Sequence, residues 1–253
     1  MRPMLFRAWA ALALLVAAIP VHASSPVSIV LGPSRDGSMH DLQHKVDKLI
    51  GFGRLDVTRE YIGAHPGDPD PFFWVNNGTR EIAVQLIDRK SPHMVLGWYN
   101  ESSGRPVIDG LDDGVVFDDW RVRRVHTVVR IPSRVTRFGF YVDTDEDDGE
   151  SSDGRGHYRY FTNRLFNDIG PRGHGAVHAP YDGDMQFLIY DVSRWLGADT
   201  WLVACEYGDS GRRLGGGRGD SDNDYSDILF TVTGMGATPT LGTSFAKVKA
   251  LYR

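Results

Sequence analysis

The chain has 253 residues, with 28 Lys and Arg against 33 Asp and Glu, a formal net charge of -5 and one cysteine. The acidic balance excludes the basic footprint of a protein whose main partner is nucleic acid, and a lone thiol excludes an internal disulfide framework. The length suffices for one large β-domain with a substantial core, or for two small ones.

Arg2 and Arg7 precede an apolar run from Ala8 to Ile19, which is followed by Val21-His22-Ala23 before Ser24. This is the pattern of a secretory signal peptide cleaved after Ala23, with an apolar core too short to span a bilayer comfortably. Losing its two arginines leaves 26 basic residues against 33 acidic ones and takes the charge from -5 to about -7. No second stretch is apolar and long enough to cross a membrane. The expected location is secreted, periplasmic or at the cell surface.

Residues 25–41 read as a leader. Leu42, Val46, Leu49 and Ile50 then recur at helical spacing, with Gly51 and Gly53 ending a single short helix. Beyond it the pattern is period two or short apolar runs with turn residues between. Strands are predicted over Leu55–Ile62, Phe72–Val75, Glu81–Ile87, Met94–Tyr99, Gly114–Trp120, Val122–Ile131 and Phe138–Val142. Of these, Val122–Ile131 carries three arginines, with Arg121 just before it, and is read as a protected edge strand. Strand character resumes at Tyr158–Phe161, Met185–Val192 and Thr200–Glu206, the last two enclosing a turn at Ser193–Ala198. Cys205 lies in an apolar strand and reads as a buried small hydrophobe. After Gly234 come a linker and a basic-aromatic tail ending at Arg253, whose short helical pattern reads as packing on its own domain or fraying.

Two acidic stretches stand out. Asp143–Gly154 carries Asp143, Asp145 and Asp147 but has Asp148 where an EF-hand loop needs glycine and Gly154 where it needs a bidentate acid. It reads as a solvated loop or as a β-type Ca²⁺ loop. Gly219–Val232 sets Asp220, Asp222, Asp224 and Asp227 directly against a strand-forming run. Carboxylates packed this closely repel one another unless something positive neutralises them, and hard divalent cations take oxygen ligands at such spacings. The alternative is a solvated, Asx-rich turn. Gly215-Gly216-Gly217 lacks the lysine and the βαβ context of a phosphate loop, and Arg218-Gly219-Asp220 is a chance tripeptide.

Tyr160-Phe161, Asn167-Asp168, His178, Glu206 and Asp222-Asn-Asp224-Tyr225-Ser226-Asp227 occur in an order that resembles the exported bacterial family known as domain of unknown function 4114, over residues of about 138–232. The family usually has Asn where Ser226 stands and an acid where Tyr207 stands. The resemblance implies a secreted or surface β-sandwich able to carry calcium, with no established catalytic role.

With that resemblance, Glu206 joins Asp220, Asp222, Asp224 and Asp227 as the expected Ca²⁺ ligand set, and Asp143, Asp145 and Asp147 form a secondary one. A regular strand cannot present Asp222, Asp224 and Asp227 on one face, so a turn is required among them. No HExxH, GxSxG or Cys/His pairing marks a catalytic site, and a secreted hydrolase built on His157, His174, His178, Asp182 and Asp184 is the third reading. The second is a carbohydrate-binding or adhesion module with a surface glycan or matrix protein as partner. Most tryptophans fall in strand patterns and read as core, which leaves Trp195, in a turn, as the candidate sugar platform. The expected architecture is an all-β, antiparallel jelly-roll sandwich over residues 25–235 with one short N-terminal helix, and the expected function a non-catalytic, calcium-stabilised module.

Overall fold

The computed structural model describes residues 31, 37, 39, 41–62, 72–75, 78–89, 94–101, 106–118, 126–144, 158–163, 166–167, 185–206 and 224–237. Aromatic and β-branched runs form the strands, as their fit to a pleated, half-buried surface requires. In chain order these are β1 (Phe73–Val75), β2 (Glu81–Arg89), β3 (Met94–Asn100), β4 (Asp113–Phe117), β5 (His126–Arg130), β6 (Phe138–Thr144), β7 (Tyr158–Phe161), β8 (Phe187–Asp191), β9 (Thr200–Cys205), β10 (Ile228–Thr233) and β11 (Met235–Ala237). One sheet runs β11-β1-β6-β3-β4 with β7 also on β6, and the other runs β5-β2-β10-β9-β8. Every pairing is antiparallel. This is the all-β sandwich with a short N-terminal helix that the periodicity predicts, and β5 is the edge strand expected of it.

Strand alternation sorts the core into layers. Between the sheets lie Phe73, Ile82, Val84, Leu86, Phe138, Phe140, Val203 and Phe230, with Phe140 meeting Phe230 edge-on at 5.3 Å between centroids. On the outer face of the β5–β8 sheet, Leu188, Tyr190, Leu202, Ala204 and Leu229 pack against helix α1 (Leu42–Ile50) and the chain that follows it. The helix buries Leu42, Val46 and Ile50, one residue per turn, each side chain contributing about 1.5–3 kcal/mol of burial. It stops at Gly51, whose φ of 106° favours glycine and whose N–H closes on Asp47 O at 2.8 Å. Leu49 is only half-buried beside that stripe.

The predicted strand at Leu55–Ile62 is instead a series of turns. Its polar residues win locally: Asp56 Oδ1 accepts from Thr58 N and Oγ1, and the N–H groups of Arg59 and Glu60 donate to Asp56 O. The Thr58 hydroxyl holds the Asp56 carboxyl below the usual carboxylate range. Leu55, Val57, Tyr61 and Ile62 are buried all the same, and the segment covers the sheet rather than joining it. Tyr190 Oη donates to Val57 O at 2.8 Å, and Ile62 N to Ile189 O at 2.9 Å on the edge strand β8.

The outer face of the other sheet has a different device. Rings sit directly over glycines: a Cβ on Gly97 would fall 2.2 Å from the Tyr141 ring, and one on Gly139 would fall 2.5 Å from both Tyr99 and Thr162. Tyr99, Tyr141 and Phe161 make a third apolar cluster there, with Phe166 against it. Asn167 ties the covering chain down, accepting from Phe161 N at 2.7 Å and donating to Phe161 O at 3.0 Å.

Register fixes which strand ends share one end of the sandwich. Arg89 pairs with Ile228, Ile228 with Cys205, and Cys205 with Phe187. In the other sheet Met94 pairs with Thr144, and Thr144 with Tyr158. Residues 90–93 join Arg89 to Met94, so these ends are neighbours. Both acidic stretches leave or re-enter the strands at this end.

Candidate functional site

The corner at this end is built where β9 stops and β10 begins. Glu206 follows the last residue of β9, and its N–H donates to Gln186 O at 2.9 Å, which extends the ladder by one residue. Asp227 N donates to Cys205 O at 3.1 Å on the other side. Between these bonds the chain from Asp224 makes the turn that strand alternation demanded. Ser226 N donates to Asp224 Oδ1 at 2.9 Å, an Asx-type turn, and Tyr225 N donates to Glu206 Oε2 at 2.7 Å.

Tyr225 sits in the left-handed region at φ 52°, a conformation that costs a bulky side chain of order 1–3 kcal/mol unless its surroundings hold it. They hold it from two sides, at the backbone through Glu206 and at the phenol, which donates to Met185 O at 2.6 Å. The strained residue therefore lies between two carboxylates and carries part of the apolar cover of the sheet.

Burial at this corner is nearly complete. Glu206 and Asp224 are each 1 % exposed and Asp227 is 9 %. Ser226 has no accessible surface, and its Oγ makes no hydrogen bond with any described atom. A cation from another element reaches in: Lys45 Nζ, on α1, donates to Ser226 O at 3.0 Å and pairs with Asp88 Oδ2 at 2.8 Å, with only 9 % of the lysine side chain exposed. The Ser226 carbonyl is thus already engaged by the lysine. Cys205 is buried beneath the corner, and burial first, then the charges of Asp227 and Glu206, push its thiol well above the ordinary range.

Of the residues expected to hold Ca²⁺, Glu206, Asp224 and Asp227 lie on the chain segments that meet at this corner, while Asp220 and Asp222 lie outside the described residues. Asp145 and Asp147 lie outside them too. Asp143 is on β6, on the same face as Gly139 and Tyr141, which is the outer face of the opposite sheet. It shares the end of the sandwich with the corner but not the site. Among the described residues no three His, Cys, Asp or Glu side chains form a group able to hold a metal ion. His157, His174, His178, Asp182 and Asp184, the residues of the hydrolase reading, are outside the described residues.

Trp195 lies on the short helix α2 (Ser193–Leu196), half-buried against the cluster under α1, with the Arg194 guanidinium 6.0 Å from its ring centroid. The other described tryptophans are engaged in packing. Trp74 lies over Gly236, Trp98 is buried beside Gly114, and Trp201 donates Nε1–H to Met235 O at 3.1 Å.

Lys45 is the member of the corner that sequence reading misses. Its signal is its place on α1, three residues after Leu42 and one before Val46, at the margin of the buried stripe. Met185 and Gln186, which supply carbonyl acceptors to the corner, carry no such signal. No helix among the described residues is long and apolar enough to cross a membrane. No protein-family model matches the chain, and no curated protein or solved structure is found similar to it.

Proposed function

We propose that this protein is an exported, non-catalytic β-sandwich module of the cell surface or extracellular matrix, stabilised by Ca²⁺ at the corner where β9 meets β10. The observation that carries the reading is the burial of Glu206 and Asp224 beside the orphaned hydroxyl of Ser226. An all-oxygen donor set suits a hard cation, and a buried hydroxyl without a partner costs about 1–3 kcal/mol unless something supplies one. The ion would draw on the carboxylates of Glu206 and Asp224, each of which also accepts from a backbone N–H, and on Ser226 Oγ. Asp220 and Asp222, just upstream, would complete the set, as would Asp227. The resemblance to domain of unknown function 4114 supports both the exported, surface location and the calcium.

The chemistry such an ion supplies is cross-linking by coordination: it ties the end of one strand to the start of the next in a fold without a disulfide. The test is a thermal melt of the mature protein with excess chelator and again with millimolar Ca²⁺, alongside metal analysis of the purified chain. Ca²⁺ is expected to raise the melting temperature reversibly, and Glu206→Gln to shrink that rise. Identical melts with and without chelator would sink the calcium reading.

A further inference from the structure

We propose that residues 244–253 dock as an amphipathic helix on an acid-rimmed apolar patch at the β4 edge, toward the end of the sandwich opposite the acidic corner.

Three of the seven large apolar side chains that the described residues expose fall within one short stretch: Val107, Leu111 and Val115, at 76 %, 71 % and 51 %. Exposed apolar residues scattered singly are ordinary, but a group of them with a polar rim marks an interaction surface. β4 is the outermost described strand of its sheet. Val115 lies on the outer face, in one row with Gly97 and Tyr141, and Ile108 packs against the cluster of Tyr99, Tyr141 and Phe161 on that face. The turn between them is fixed. The Asp113 carboxylate accepts from Asp109 N at 2.9 Å and from Gly110 N at 3.0 Å, and Asp109 Oδ1 accepts from Leu111 N at 3.0 Å. Leu111 is therefore held outward by a built turn, a surface ordered before anything binds it.

The rim is acidic. Asp109 and Asp118 are exposed and Asp113 is half-buried, and none of the three is ion-paired with a described residue, whereas Asp112 beside them has Arg134. A second copy's β4 edge would bring like charges together. The chain itself carries a segment of the complementary chemistry. Residues 244–253, outside the described residues, read SFAKVKALYR. At the helical period Phe245, Val248, Leu251 and Tyr252 share one face, and Lys249 and Arg253 run along one flank of it. So short a helix is marginal alone in water, and burial of its apolar face is what would hold it.

Ladder register puts the patch within reach. Ala237 pairs with Phe73, Phe73 with Phe138 and Phe138 with Asn100, whose N–H donates to Asp112 O. Four strand spacings, about 19 Å, separate Ala237 from Asp112. Residues 238–243 span up to about 20 Å when extended, so residue 244 can arrive beside the turn. From there a helix over residues 244–253, about 15 Å long, is enough to run along β4 past Val115.

The test is hydrogen exchange by mass spectrometry on the full mature chain, with a synthetic peptide of residues 244–253 as the free reference. Amides of that segment are expected to exchange roughly tenfold more slowly in the chain than in the peptide. The double variant Leu111→Asn, Val115→Thr, changed only at exposed positions, is expected to return them to the peptide's rate while the strands exchange as before. Equal rates in chain and peptide overturn the proposal, and so does protection that survives the double variant. Should that variant not fold, Lys249→Glu with Arg253→Glu carries the test from the segment's side. It is expected to lose most of the protection, and unchanged protection there overturns the proposal too. Protection that appears only as protein concentration is raised puts the segment on a second copy and overturns docking within one chain.

Discussion

A single phenol connects strain, burial and charge at the corner. Tyr225 holds a left-handed backbone and donates its hydroxyl proton to Met185 O, so removing that hydroxyl leaves a carbonyl without its donor in a closed environment. Tyr225→Phe is expected to cost about 1–3 kcal/mol, read as a lower urea midpoint with an unchanged slope. Cys205 makes a different statement at the same scale. Its thiol is held protonated by burial and by the neighbouring carboxylates, so its folded value is raised above the ordinary 9.0. The stability this contributes is fully present below that ordinary value and is lost as pH rises from there toward the raised folded value, because the unfolded thiol ionises first. Buried Tyr99 and Tyr190, pushed up chiefly by desolvation from 10.0, add to the loss at still higher pH. A pH series of melts is expected to show Cys205→Ala losing less stability than wild type between neutral pH and about pH 10, and equal losses would argue against it.

Helix α1 is an element whose worth lies in one stripe and one lysine. Leu42→Ala empties a buried site at the head of the stripe and is expected to cost about 2–5 kcal/mol, whereas Leu49→Ala, half-buried beside it, is expected to cost clearly less. Comparing the two melts separates packing of the stripe from general loss of helix propensity. The stripe was legible from residue spacing, because Leu42, Val46 and Ile50 repeat at the helical period and Gly51 stops them. The strands were legible for the same reason: β-branched and aromatic runs between turn residues are written locally. Leu55–Ile62 was misread because its apolar alternation resembles a strand, while Asp56 and Thr58 bind the backbone into turns, a competition that periodicity does not register. Glu206 and the Asp-rich turn were legible from charge density. Lys45 was not, since 181 residues separate it from the carbonyl it holds, and only the docking of α1 brings them together.

For the whole molecule, the question is what replaces the disulfides that one cysteine cannot make. Three apolar layers do most of it, one between the sheets and one on each outer face. A native-state ligand at a hundred times its dissociation constant adds about 2.7 kcal/mol, a sizeable share of a domain's net stability of about 5–15 kcal/mol. Ca²⁺ of extracellular affinity, about 10⁻⁴ to 10⁻³ M, would reach lower multiples than that in most surroundings. The chelator shift is therefore expected to be a few degrees and to grow with added Ca²⁺ rather than saturate at trace levels.

The three-residue strand β11 carries a mechanical consequence. The chain crosses from β10 to β11 through Gly234 alone, at φ 84°, and β11 pairs only with β1 among the described strands. The described chain reaches Ala237 on that short edge. A force applied at Ala237 would meet the three paired positions from Phe73 to Val75 before any other described ladder, and behind them the bond from Trp201 Nε1 to Met235 O. Beyond that bond the load passes through one glycine to β10, which is paired on both sides. The molecule would thus yield in two stages under tension, losing a small edge first and keeping its two-sheet core until the central strand gives way.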